Sequence, residues 1–204
     1  MTRTSRISSA LAFQCVLVFG VAPLAAAQGE PSGLRGSVAA EADAISYFIG
    51  GYSGIVNLSL DNGFQIAFGS GRYDVPSFLL KGDANYDVAQ WKATSTSVQV
   101  LRVGYRFNGP MKNGPVLAAV VLNQDWHLRS GTSGGETTFR PVSVGLSGGY
   151  YLHIGEHFYL YPTMAYTYNT VASGTASVGG KKYNVSRFAP NGSLHAGWEF
   201  KFGR

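Results

Sequence analysis

The sequence predicts an all-β chain that closes into an eight-stranded, antiparallel, up-and-down transmembrane β-barrel. Three observations predict it. Apolar and polar residues alternate with a period of two along most of the chain, the period of a strand with one apolar face. Only 13% of the 204 residues are charged, while 13% are aromatic and 27 are glycine, against about 25% charged and about 7% Gly in an ordinary soluble domain. The connections alternate between tight turns and long loops, as they do in barrels that cross an outer membrane. Beyond residue 27 no run of about 18 apolar residues occurs, which excludes a spanning helix there. Few charges together with many Tyr and Phe exclude disorder.

Residues 1–27 predict a cleaved signal peptide. Arg3 and Arg6 form its positive end, Ala10 to Val21 its apolar stretch, and Ala25-Ala26-Ala27 a small-residue cleavage site. The barrel domain is then 28–204. The single cysteine, Cys15, falls inside the apolar stretch, so the mature chain has no disulfide, thiol chemistry or cysteine metal site. Without Arg3 and Arg6 the formal charge falls from +5 to +3. The remaining basic residues are scattered, which argues against nucleic-acid binding.

Eight strands follow, at about 36–45, 53–60, 63–71, 93–107, 114–128, 137–152, 157–170 and 192–202. The first has the weakest alternation. In the second, Val56, Leu58 and Leu60 alternate with Ile55, Asn57 and Ser59. Asp61-Asn62-Gly63 signals a tight hairpin into the third, where Phe64, Ile66 and Phe68 alternate with Gln65, Ala67 and Gly69. A long loop, 72–92, leads to the fourth strand, with Leu101, Val103, Tyr105 and Phe107 against Arg102, Gly104 and Arg106. Asn108 to Asn113 is short. The fifth strand is apolar on both faces before turning polar at Asn123, Asp125 and His127. After a loop at 129–136 the sixth sets Val142, Val144, Leu146 and Leu152 against Ser143, Gly145, Ser147 and Gly149. Ile154 to Glu156 is short. The seventh sets Phe158, Leu160, Met164 and Tyr166 against Tyr159, Tyr161, Ala165 and Thr167. Pro162 removes a ladder donor there and predicts a bulge. A long loop, 171–191, precedes the last strand, where Leu194, Ala196, Trp198, Phe200 and Phe202 alternate with His195, Gly197, Glu199 and Lys201. The connection at 46–52 is short and breaks the alternation of loop lengths.

Alternation alone leaves open which face points outward. The polar face combines ions with small residues (Gly104, Gly145, Ser147, Gly149, Gly197), as a narrow eight-stranded lumen requires. Aromatics gather toward strand ends at Tyr105, Phe107, Tyr150, Tyr151, Phe158, Tyr159, Trp198 and Phe202, with Trp126 and Tyr168 at the opposite end. This distribution predicts interfacial girdles. The apolar face is therefore expected to meet lipid, and the two long loops to lie on the cell surface.

In this pattern the chain resembles the small eight-stranded outer-membrane barrel proteins of Gram-negative bacteria, of OmpA- and OmpX-like architecture. The sharpest local resemblance is Gly197-Trp198-Glu199-Phe200-Lys201-Phe202, with Gly197, Phe200 and Phe202 matching the terminal glycine–aromatic–aromatic signal of that group. Gly203 and Arg204 depart from it, since family members usually end on the aromatic. The resemblance implies residence in the outer membrane, export through the periplasm, and assembly as a client of periplasmic chaperones and the outer-membrane insertion machinery.

Candidate chemistry is sparse. His127 is followed two positions on by Arg129 where a lipid acyl hydrolase would carry a serine. His195 has Ser193 two positions before it but no acid partner on its own strand face. Asp83 to Asp87 has calcium-loop spacing, yet Val88 and Thr94 replace the glycine and glutamate that an EF-hand needs. The expectation is no catalytic residue, no metal and no cofactor. Inward positions instead predict a lumen charge network of Glu41, Asp43, Arg102, Arg106, Glu199 and Lys201, with Lys201 or Glu199 pairing across the seam to Glu41 or Asp43. Lys181, Lys182 and Arg187 share a loop without acidic residues, and lipopolysaccharide phosphates are the expected partners. The functional expectation is a monomeric, non-enzymatic barrel with a filled lumen, whose loops contact lipopolysaccharide or other surfaces. The alternatives are a narrow channel for small solutes and a lipid A-modifying enzyme.

Overall fold

A computed structural model describes residues 33–76, 91–130, 134–178, 181–183 and 185–203. The signal-peptide segment 1–27, with Cys15, and the Asp83 to Asp87 loop lie outside the described residues. Eight long strands close a barrel in the order β1-β10-β7-β6-β5-β4-β3-β2. They are β1 (Gly36–Asp43), β2 (Tyr52–Leu60), β3 (Phe64–Val75), β4 (Trp91–Arg106), β5 (Gly114–Ser130), β6 (Glu136–Ile154), β7 (Phe158–Gly174) and β10 (Phe188–Phe202). Two short strands, β8 (Ser177–Val178) and β9 (Lys181–Lys182), form a separate hairpin between β7 and β10.

The turns read from the sequence close one end of the barrel. In the first, Gly63 donates its N–H to the Leu60 carbonyl at 2.8 Å and adopts φ +88°, a conformation costly for any residue with a Cβ. At the other end the strands run past their expected limits. β3 reaches Val75, β5 Ser130 and β7 Gly174, while β10 begins at Phe188, so much of the sequence read as loop is paired sheet.

Two features differ from expectation. A five-residue helix, α1 (Ala44–Phe48), begins inside the expected first strand and runs into the 46–52 connection. Asp43 caps it, accepting from the Ile45 N–H at 3.1 Å and the Ser46 hydroxyl at 2.8 Å, and this ends β1 early. Pro162 produces no bulge. It stays in register opposite Leu194 of β10, and on the β6 side the ladder omits Tyr150 and Tyr151 without a register change. The register shifts fall elsewhere, at Arg140/Pro141 of β6, at Ser95/Ser97 of β4 and at Gly71/Tyr73 of β3.

Following cross-strand partners from Ala40 through Val56, Phe68, Leu101, Val121, Val144 and Tyr168 ends at Phe188 of β10. Ala40 itself faces Trp198, ten residues further along that strand. A stagger of ten over eight strands tilts them by about 40°. The apolar face is outside: Leu146 is 62% exposed and Val144 51% exposed, whereas Ser147 between the flanking strands is buried.

Candidate functional site

The inward residues form three layers along the lumen. The layer nearest the tight turns is polar and centred on two carboxylates. Glu41 of β1 receives Arg102 of β4 at 2.6 Å on Oε2. Its Oε1 accepts from the Tyr159 hydroxyl at 2.8 Å and Asn57 Nδ2 at 3.0 Å. Glu199 of β10 receives Arg106 at 2.7 Å and lies 2.8 Å from His153 Nε2. The Ser37 hydroxyl also donates to it. Each carboxylate is thus paired and hydrogen-bonded, the condition under which a buried charge is tolerated.

A stack of planar groups joins the two centres. The Tyr151 and Tyr161 rings lie 4.3 Å apart and 2° from parallel. Arg106 sits over Tyr151 at 3.8 Å and Arg102 lies 5.1 Å from the Tyr161 centroid. Guanidinium, two rings and guanidinium therefore fill the barrel axis, a repeated cation–π arrangement. Tyr151, Tyr159 and Tyr161 are each 0% exposed.

The sequence-derived lumen residues divide accordingly. Glu41, Arg102, Arg106 and Glu199 meet inside, but the pairs cross the lumen rather than the seam. Asp43 does not join them, because its carboxylate caps α1. Lys201 has inward parity yet is exposed at the barrel's end, opposite Ser37. Tyr151 and Tyr159, read from sequence as girdle aromatics, are lumenal. Glycines make the space for Tyr159 and Tyr161. A Cβ on Gly197 would lie 2.4 Å from the Tyr159 ring, and one on Gly149 2.5 Å from the Tyr161 ring. His195, expected to lack an acid, has Nδ1 3.8 Å from Glu41 Oε2, the carboxylate coming from the neighbouring strand. Among the described residues no hydrogen bond joins Ser193 to His195. His127 Nε2 lies 2.9 Å from Glu136, which also takes Arg129 at 2.6 Å in a partly exposed ion cluster.

The layer at the long-loop end is apolar. Val75, Trp91, Leu128 and Phe139 pack together, and Val178 and Tyr183 of the β8–β9 hairpin complete the cluster. Part of the 171–191 loop therefore folds over the barrel mouth. Trp126, a third expected girdle residue, packs here against Phe139 at a centroid distance of 5.6 Å. Lys181 and Lys182 form β9, and Arg187 is exposed just before β10. Of the terminal motif, Gly197 lies under Tyr159, Phe200 is exposed on the outer face and Phe202 is half-buried.

Between the two plugs lies a cavity of about 410 Å³, bordered by Arg102 and His195 on one side and by Tyr73 and Gln124 on the other.

No family model matches the chain, and no curated protein matches it in sequence. Among solved structures it is similar to a major outer membrane protein of Thermus thermophilus, with a TM-score of 0.51 and 12% identity over 80% of this chain and 98% of that one. It is similar to the N-terminal β-barrel domain of Pseudomonas aeruginosa OprF at a TM-score of 0.49 and 17% identity, over 82% of this chain and 100% of that one. It is similar to Neisserial surface protein A at a TM-score of 0.43 and 19% identity, over 81% of this chain and 94% of that one. The fold is that of the eight-stranded outer-membrane barrels.

Proposed function

We propose that the chain is a non-enzymatic outer-membrane barrel whose lumen passes no ions and whose exposed loops contact lipopolysaccharide. The observation that carries this reading is the lower plug: two buried ion pairs, Glu41–Arg102 and Glu199–Arg106, bridged by stacked Tyr151 and Tyr161. A solute crossing that layer would have to break buried charge pairs, and stranding the arginine of such a pair costs about 3–5 kcal/mol.

The outward apolar belt supports placement in a bilayer, because every backbone group inside hydrocarbon must pair within the protein and a closed barrel does this. The tight turns belong in the periplasm and the long connections outside. In that orientation Lys181, Lys182 and Arg187 lie where lipopolysaccharide phosphates are the nearest abundant anions. Gly197, Phe200 and Phe202 would be read by the insertion machinery after passage through the periplasm with its chaperones. The reading requires no cofactor.

Two measurements on protein refolded into detergent and planar bilayers test it. The folded barrel should migrate differently before and after heating, and it should give no steady single-channel current. A stable conductance in the wild-type protein would replace this reading with that of a channel.

A further inference from the structure

The barrel is closed, but at the long-loop end β1 stops short of its neighbours. β1 pairs with β10 only at His195–Phe202 and with β2 only at Ile55–Leu60. Beyond those limits, Phe188–Leu194 of β10 pair with β7 alone, and Tyr52–Gly54 of β2 pair with β3 alone. The chain turns away at the Asp43 cap, and α1 takes the place where β1 would continue: the Asp43 N–H donates to Ser53 Oγ at 2.8 Å and the Tyr47 hydroxyl to the Ser53 carbonyl at 3.4 Å, which leaves the β10 side of the break as the open edge. A tilted strand crosses hydrocarbon in about 9–11 residues. Counted along β10 from Phe202, that length ends between Leu194 and Gly192, where the wall opens.

The cavity lies directly behind this break. Its border includes Ser53 from one rim and Ser193 from the other. Its inner wall carries Ile55, Val98, Val100, Val120 and Leu122, aliphatic side chains at inward positions that hold Arg, Glu and Tyr one layer below. The outer surface beside the break is apolar as well. Met164, Tyr166 and Phe188 are exposed on one flank and Tyr52 and Val56 on the other, and Phe48 of α1 is 88% exposed. A Cβ on Gly192 or Gly54 would meet nothing within 4 Å. A lumen compartment with an aliphatic inner wall, bordered by Arg102 and His195 at its floor and by Asp43 and Arg72 as well, thus adjoins the lipid-facing belt at the depth where acyl chains meet headgroups. Its volume lies within the ~300–1,000 Å³ of small-molecule sites.

We infer that this compartment is a binding site for an acyl chain, entered sideways from the outer leaflet through the break between β2 and β10. The tail lies against Val98, Val100 and Leu122, while the polar end stays at the rim, where the exposed backbone edge of β10 offers hydrogen-bonding groups. The upper apolar plug closes the route from outside, and the Arg–Tyr–Tyr–Arg stack closes it from the periplasm. The inference rests on the membrane reading above.

The test uses full-length mature protein refolded into phosphatidylcholine vesicles. One arm contains a phospholipid with a diazirine in its acyl chain; the other contains a free fatty acid with the same group. After irradiation, adducts are mapped by mass spectrometry. Outward Leu117 and Leu146 should be labelled, and inward Val98, Val100 and Leu122 should be labelled with them. Inward labelling from the phospholipid identifies a tail still attached to a membrane lipid. Inward labelling from the fatty acid alone identifies a free acid. Labelling confined to outward residues overturns the inference and leaves the membrane reading standing. Absence of label at Leu117 and Leu146 removes both. Val120→Trp, which fills the cavity, and Ser193→Trp, which narrows the rim, should each lose inward labelling while Leu146 is labelled as before. A heat-modifiable band establishes that each variant has folded. Inward labelling undiminished in a folded variant of both kinds would also overturn the inference.

Discussion

Replacing Glu41 with alanine tests the lumen plug most directly. The structure makes the two halves of its ion pair unequal. Arg102 has one carboxylate partner among the described residues, Glu41 at 2.6 Å, and its side chain is almost wholly buried. Glu41→Ala therefore strands a guanidinium that cannot lose its proton, at a cost of about 3–5 kcal/mol. A loss near 4 kcal/mol is roughly a thousandfold in the folding equilibrium. The reverse change is milder. After Arg102→Ala, Glu41 keeps the Tyr159 hydroxyl at 2.8 Å and Asn57 at 3.0 Å, and a glutamate can take up a proton. The expected loss is about 1–3 kcal/mol. The double variant Glu41→Leu/Arg102→Met leaves neither charge and should recover most of the Glu41→Ala loss. Urea titration of protein refolded in vesicles, followed by tryptophan fluorescence and by the heat-modifiable band, measures all three. If Glu41→Ala falls within about 1 kcal/mol of wild type, the range of an ordinary surface change, the pair does not hold the plug. If Arg102→Ala is the costlier change, the argument from unequal partners is wrong.

Leu146→Arg puts a charge on an outer position that is 62% exposed and should cost about 2–4 kcal/mol near the bilayer midplane; stability equal to that of a loop variant would place the apolar face outside lipid. Gly197→Ala drives a methyl group to 2.4 Å from the Tyr159 ring and should cost about 1–3 kcal/mol. The same change in a Tyr159→Ala background should cost much less, and an equal loss in both would assign Gly197 a role unrelated to that ring. For topology, a cysteine replacing exposed Thr175 should react with an impermeant thiol reagent on intact cells while one replacing Asn62 should not; labelling of Asn62 alone would invert the barrel. Added lipopolysaccharide should raise the thermal stability of wild type more than that of Lys181→Ala/Lys182→Ala/Arg187→Ala, with a difference that shrinks at high salt. Equal stabilisation would remove those three residues from lipid contact.

What was legible in the sequence was parity. A period of two needs only local residues, so each strand alone shows that Val144 and Leu146 share one face and that Arg102 and Arg106 share another; which face turns inward took the small residues and aromatics of the whole chain. Partner choice could not. The first and last strands must meet in a closed barrel, which suggested pairing across the seam, and Glu41 does lie beside Gly197 there. Yet a stagger of ten residues and a narrow lumen bring Arg102, three strands away, within 2.6 Å, and no single strand encodes that stagger. Helix α1 escaped for a different reason: five residues cannot display a 3.6-residue period. Its one local signal was Asp43 followed three positions later by Ser46, a cap geometry visible only in the fold.

The misplaced tyrosines show what the inward glycines do. Girdle and lumen both favour aromatics, so Tyr151 and Tyr159 were ambiguous by residue type, and parity should have outweighed composition. Tyr159 stands directly opposite Gly197 on the neighbouring strand, and Tyr161 reaches over Gly149. In both pairs an absent side chain on one strand makes room for a ring from the next. The glycines thus do more than keep a narrow lumen from overfilling, since each sets which way a tyrosine leans. Tyr159 leaning over Gly197 places its hydroxyl 2.8 Å from Glu41. Tyr161 leaning over Gly149 brings its ring parallel to Tyr151, within reach of Arg102. The charge pairs and the glycines are therefore parts of one device: enlarging either glycine should loosen the ion pair its tyrosine supports.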